Sequence, residues 1–158
     1  MPVVDITVRR GRSQSVLRAI ADGVHEALVE QFGIPVEDRF QVIQQKEPYE
    51  FIYSPDFLGG PRTEDFVLVR IVVGKERPVE KKHALYRAIV ENLTRRAGVN
   101  AEDVFIMLDA VTASDLSAAG GRPFNPPHLD TIDEQGHPAP PGPGTDLRLP
   151  HRDPEQNA

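Results

Sequence analysis

A proline stands second in the chain and opens the apolar run Pro2-Val3-Val4-Asp5-Ile6-Thr7-Val8. Proline is a small penultimate residue, so loss of the initiator methionine is expected, leaving a secondary amine at a strand end. A free α-amine titrates at about 7.7 to 8.0, so desolvation or a neighbouring charge tunes it across neutral pH and fits it for acid or base work. Two cations follow a later strand, Lys75 and Arg77 in Gly74-Lys75-Glu76-Arg77-Pro78. One carboxylate, Asp38, opens another strand in Val36-Glu37-Asp38-Arg39-Phe40-Gln41. Arg39 and Arg70 read as surface charges. The chain has no cysteine, which excludes thiol chemistry and disulfides. Its five histidines are scattered without ligand spacing, so neither a metal nor a cofactor is expected.

The elements that must position these groups follow from periodicity. Val16, Leu17, Ile20, Val24, Ala27, Leu28 and Phe32 recur at helical spacing. Ser13 supplies an N-cap and Gly33 an end, which predicts a helix from Ser13 to Phe32. Phe40-Gln41-Val42-Ile43 reads as a strand, completing a β-α-β unit whose strands run parallel through a right-handed crossover. Residues 44–65 are irregular, with an aromatic run from Tyr49 to Tyr53 that suggests a hairpin. Phe66 to Val73 is then a buried strand, and Leu85, Ala88, Ile89, Leu93 and Ala97 mark a second helix between Pro78 and Gly98. Val104 to Leu108 is the last strand.

The two halves match at a constant shift of 65 residues, which pairs Arg12 with Arg77, Gly33 with Gly98, Asp38 with Asp103 and Phe40 with Phe105. This is an internal duplication, with repeats at about 2–44 and 66–110. The expected fold class is α+β: duplicated β-α-β units forming a four-stranded mixed sheet with two helices on one face, the units related by a pseudo two-fold axis. An antiparallel second unit brings the end of its first strand beside the start of the chain's first strand. Lys75 and Arg77 then lie near Pro2, and the parallel pairing brings Asp38 toward the same place. The equivalent end collects Arg10, Arg12 and Asp103 around Phe66, which offers no free amine. One end is expected to work and its twin is not.

A proline after Met1, a duplicated β-α-β unit with a basic residue after each first strand, and the passage Val36 to Gln41 together resemble the tautomerase superfamily. The resemblance is to its fused-repeat, malonate semialdehyde decarboxylase-like branch, over about Pro2 to Gly121. It implies a β-α-β fold assembled as a homotrimer, with Pro2 as catalytic acid or base and Asp38 positioning or activating water or substrate. It also implies a carboxylate site at Lys75 and Arg77, where that branch has two arginines. Lysine lacks the planar fork of arginine. The branch places aromatics in the segment that here reads Ala113 to Ala118, and this chain has Leu116 and Ala118 instead.

Composition sets the remaining bounds. A net charge of −6 argues against nucleic acid and anionic membrane as partners. No run of about 18 apolar residues is present, and the cytoplasm is the expected compartment. Nine of the fifteen prolines follow Gly121, so the expected organisation is a tautomerase-like domain over 1–122 and a Pro-rich, disordered tail over 123–158.

The expected activity is keto-enol tautomerisation of a small oxo acid by a neutral Pro2 amine, two cations against one anion favouring that form. A protonated amine would instead serve decarboxylation or hydration of a three-carbon oxo or unsaturated acid. From another class, a trimeric binding protein without catalysis would use the Pro-rich tail to bind its partners.

Overall fold

The computed structural model describes residues 1–122 and Phe124; the rest of the Pro-rich tail lies outside the described residues. Six main elements follow in order: β1 (Pro2–Arg9), α1 (Gln14–Phe32), β2 (Phe40–Lys46), β3 (Val67–Val73), α2 (Val79–Ala97) and β4 (Val104–Ala110). Short 3-10 turns at Ala101–Asp103 and Ala113–Asp115 flank β4. No helix among the described residues is long and apolar enough to cross a membrane.

Alternation along the strands decides which face is covered. Val4, Ile6 and Val8 of β1 and Val67, Val69, Ile71 and Val73 of β3 are buried. They meet Ile20, Val24, Ala27 and Leu28 of α1 and Leu85, Ile89 and Leu93 of α2. Each buried aliphatic side chain contributes about 1.5–3 kcal/mol. A one-residue slip would turn every strand residue to the wrong face, so this pattern fixes the register. The helices cross closely at Gly23, where an added β-carbon would lie 3.2 Å from Leu93 and 3.3 Å from Asn92. Asn92 donates to the Gly23 carbonyl at 3.0 Å, so a buried polar group there is satisfied.

The sheet order is β2-β1-β3-β4. β1 pairs with β2 and β3 with β4 in parallel, and the repeats meet antiparallel through β1 and β3. The duplication is exact in the helices, since Gln14–Phe32 shifted by 65 is Val79–Ala97. Both helices end on a left-handed glycine, Gly33 at φ 64° and Gly98 at φ 67°. The pseudo two-fold axis passes the pair Asp5 and Arg70, which face each other across β1 and β3.

Ser13 caps α1 as expected, accepting from the Val16 N–H at 3.3 Å. Two expectations shift. The second strand runs on to Lys46. No hairpin forms at Tyr49 to Tyr53; this part of the linker between the repeats is irregular. There Phe51, Tyr53 and Phe66 cluster on one another with ring centroids 4.3–5.4 Å apart, and side-chain packing replaces strand pairing.

Candidate active site

The start of β1 is where candidate groups meet. The terminal amine of Met1 lies 3.2 Å from Asp38 Oδ2, and the side chains of the two residues are 15% and 18% exposed. Pro2 is buried and faces Val73, so the chain leaves β3 beside it through Gly74, Lys75, Glu76 and Arg77. A β-carbon on Gly74 would lie 3.3 Å from Leu116 Cδ1 and 3.9 Å from the Met1 carbonyl oxygen. Leu116 therefore walls the same place. Its turn is fixed by Asp115, whose carboxylate accepts from the Thr112 hydroxyl and N–H at 2.7 and 2.8 Å, and these bonds hold the Asp115 pKa below the usual carboxylate value.

Asp38 is held from both sides. Arg39 donates to Asp22 at 2.5 Å and to Gln41 at 2.8 Å, and Gln41 donates to the Ala21 carbonyl. Burial alone would raise the Asp22 pKa, but the Arg39 and Arg18 guanidiniums outweigh it and the carboxyl lies below its usual value. On the other side His25, buried in α1, donates Nε2–H to the Val36 carbonyl at 2.8 Å. The expectation that Arg39 is a surface charge is thus corrected: it is 29% exposed and clamps the segment after Asp38 to α1. Arg70 lies on the open sheet face and pairs with Asp109 at 2.9 Å.

The two cations differ. Lys75 is exposed, while Glu76 beside it pairs with Lys82. Arg77 is partly buried, and burial pushes its pKa below the usual guanidinium value. Its Cζ lies 5.2 Å from the centroid of the Phe32 ring. Nη1 donates to the carbonyls of Lys75 and Glu76 at 3.1 and 3.4 Å.

At the twin end the same positions are engaged by linker residues, although Arg12 Nη1 is buried without a hydrogen-bond partner among the described residues. Asp103, 1% exposed, accepts from the Thr63 N–H at 2.5 Å and the Thr63 hydroxyl at 2.7 Å. Arg12 donates to the Asp65 carbonyl at 2.5 Å, and Arg10 to Glu47 at 2.6 Å. Asp103 therefore orders a loop, where Asp38 faces an amine.

Two family models, each described as tautomerase enzyme, match residues 2–59 and 38–119. The chain belongs to the tautomerase family. It is 38% identical over 122 residues to the probable tautomerase YusQ of Bacillus subtilis (strain 168), covering 77% of this chain and 96% of that one. A crystal structure of a malonate semialdehyde decarboxylase inhibited by 3-bromopropiolate superposes with a TM-score of 0.71 at 35% identity, over 76% of this tautomerase and 91% of its neighbour. A fused 4-OT described as a symmetric trimer shares the fold at a TM-score of 0.65 and 20% identity, over 77% and 95% of the two chains.

Sequence reasoning about this tautomerase missed Phe32, His25 and Arg39. Phe32 reads as one more apolar residue of the helix stripe. A signal for it was present in the repeat, because the matching residue of α2 is Ala97: the two halves differ at the ring over which the Arg77 guanidinium lies.

Proposed function

We propose that this tautomerase, once Met1 is removed, uses the secondary amine of Pro2 to move a proton on a small oxo acid or its enol, with Arg77 and Lys75 holding the carboxylate. The observation that supports the reading is the place of the chain start: the Met1 nitrogen lies 3.2 Å from Asp38 at the mouth of β1, and it stands in for the Pro2 amine that removal of Met1 would free one residue further on. In tautomerisation the neutral amine takes the enol proton and returns it to the adjacent carbon, so both charge states must be accessible. Asp38 stabilises the charged state. The cations Lys75 and Arg77, in the segment that follows β3, are the groups of the proposed site that would stabilise the neutral one.

The Asp38 contact also favours a second reading, in which the amine rests protonated. The ammonium then polarises the carbonyl of a β-oxo acid while the C–C bond to the carboxylate breaks, releasing carbon dioxide and an enolate that takes the ammonium proton and leaves the amine neutral. Likeness to a malonate semialdehyde decarboxylase inhibited by a three-carbon acid supports this alternative.

An NMR titration of the Pro2 nitrogen separates the readings. Tautomerisation requires a midpoint within about one unit of the α-amine reference. A nitrogen still protonated at about pH 9.5 assigns the second reading. A chain that keeps Met1 sinks both.

We also propose a homotrimer. Phe40, Val42, Phe105 and Met107 stand 40–53% exposed on the sheet face away from the helices, in positions that the repeat shift exchanges. A hollow of about 320 Å³ lined by Phe51, Tyr53, Phe57, Phe66, Phe105 and Met107 continues that face under the linker. Apolar surface of this kind marks an interface, and a fused neighbour with the same fold is a symmetric trimer. Sedimentation should give three times 17.5 kDa, and Met107→Glu should shift the mass toward the monomer. A monomeric wild-type protein would refute the assembly.

A further inference from the structure

Arg77 and Arg12 hold equivalent places in the two repeats, yet each is anchored by different chemistry. Arg12, 11% exposed, spends Nη2 on the Asp65 carbonyl at 2.5 Å and on its carboxylate at 3.4 Å. An anchor of that kind engages Nη2 and sets a carboxylate against the charge, while Arg12 Nη1 is buried without a hydrogen-bond partner among the described residues. Arg77 instead lies over the ring of Phe32, with Cζ 5.2 Å from the centroid. A ring face within about 6 Å attracts the cation through its quadrupole without taking up any N–H. Among the described residues, the hydrogen bonds of Arg77 run through Nη1 to the carbonyls of Lys75 and Glu76. The Nε–Nη2 edge, the two-pronged side that matches a carboxylate, is thereby left for a ligand.

Phe32 is well placed for this. It is the last residue of α1, and the helix is closed immediately after it by the left-handed Gly33, whose N–H donates to the Val29 carbonyl at 3.1 Å. A platform on a capped helix holds its position better than one on a loop. The matching end of α2 carries Ala97, so the ring, borne by the first repeat, lies under the arginine of the second, and the equivalent position of the second repeat has no ring to offer Arg12.

We propose that Phe32 is a positioning residue, which presents the Nε–Nη2 edge of Arg77 to the substrate carboxylate. The inference rests on the reading that Arg77 binds that carboxylate. It assigns specificity for a planar carboxylate to a side chain that does not touch the substrate.

The test uses the full-length protein and the enol form of phenylpyruvate as probe, with the methyl ester of that probe as the uncharged control. Phe32→Leu should raise KM for the acid by about five-fold, the scale of a cation–π contact of about 1 kcal/mol. It should leave kcat within about two-fold and the ester unaffected, because only the anion uses Arg77. Phe32→Tyr should restore the wild-type KM. Because Phe32 also packs against the core, a 3,4,5-trifluorophenylalanine placed at position 32 supplies a variant of nearly unchanged shape and weakened ring quadrupole. It should raise KM for the acid in the same direction. An unchanged KM in the fluorinated protein, or an equal loss with acid and ester, overturns the role of Phe32. Arg77→Gln is measured alongside: if it leaves KM for the acid unchanged, the carboxylate reading of the site falls, and Phe32 with it. A large effect of Arg77→Gln with none from the fluorinated ring sinks Phe32 alone.

Discussion

Pro2→Ala is expected to lower kcat/KM by about 10²-fold or more while leaving the fold intact, on the usual scale of general acid–base catalysis. The substitution keeps an α-amine but removes the ring. A pyrrolidine fixes φ near −65° and so aims the nitrogen. In alanine the terminal amine rotates freely, and part of the advantage of a positioned proton carrier is lost. The structural cost should be small, because position 2 lies at the first residue of β1, where only one end of the strand ladder is affected. Mass spectrometry must show that Met1 is absent from both proteins, and thermal melts should agree within a few degrees. Undiminished turnover in the alanine protein would show that the secondary amine does not carry the proton.

Asparagine at the two equivalent acidic positions should produce opposite phenotypes. Asp38→Asn should lower kcat about 10- to 10³-fold, because the charge beside the amine disappears and the proton carrier loses the group that stabilises its charged state. Its effect on stability should be small, since the contacts that hold the segment run through Arg39 and the Val36 carbonyl rather than through the carboxylate. Asp103→Asn should do the reverse. An amide cannot accept from both the N–H and the hydroxyl of Thr63 without turning its own NH₂ toward one of them. Loss of a charged acceptor at a site 1% exposed costs about 2–4 kcal/mol, read as a lower denaturation midpoint at unchanged slope. Turnover per folded molecule should stay close to wild type. If both variants fail in the same manner, the functional division between the two ends is wrong.

The Asp38 and Asp103 pair shows where sequence reading ran out. The repeat shift found both residues and placed them at equivalent sheet ends, with Asp38 at the end expected to work, but it did not show what Asp103 would bind. The separation comes from the linker. Thr63, Glu64 and Asp65 fold back onto Asp103, Arg9 and Arg12, and a stretch rich in proline and glycine has no period from which such a path can be read. The aromatic run from Tyr49 to Tyr53 misled for the same reason, because its rings pack on Phe66 instead of pairing as strands. Arg39 looked solvated because its partner Asp22 lies 17 residues earlier, on a helix face that becomes its neighbour only when α1 packs back on the sheet.

By itself the sequence determined the elements, the duplication, the sheet arrangement and the end of the sheet at which an amine, an aspartate and an arginine are to be sought. Strand alternation and helix period are local, and the 65-residue shift carries one repeat's geometry onto the other. Tertiary structure decided what each copy touches. It set Asp38 on the Met1 nitrogen and sealed Asp103 under Thr63, gave Arg77 a ring and Arg12 a carbonyl, and brought Leu116 over Gly74. Those outcomes depend on where irregular backbone travels, which is set by the sum of long-range contacts rather than by any local pattern of residues.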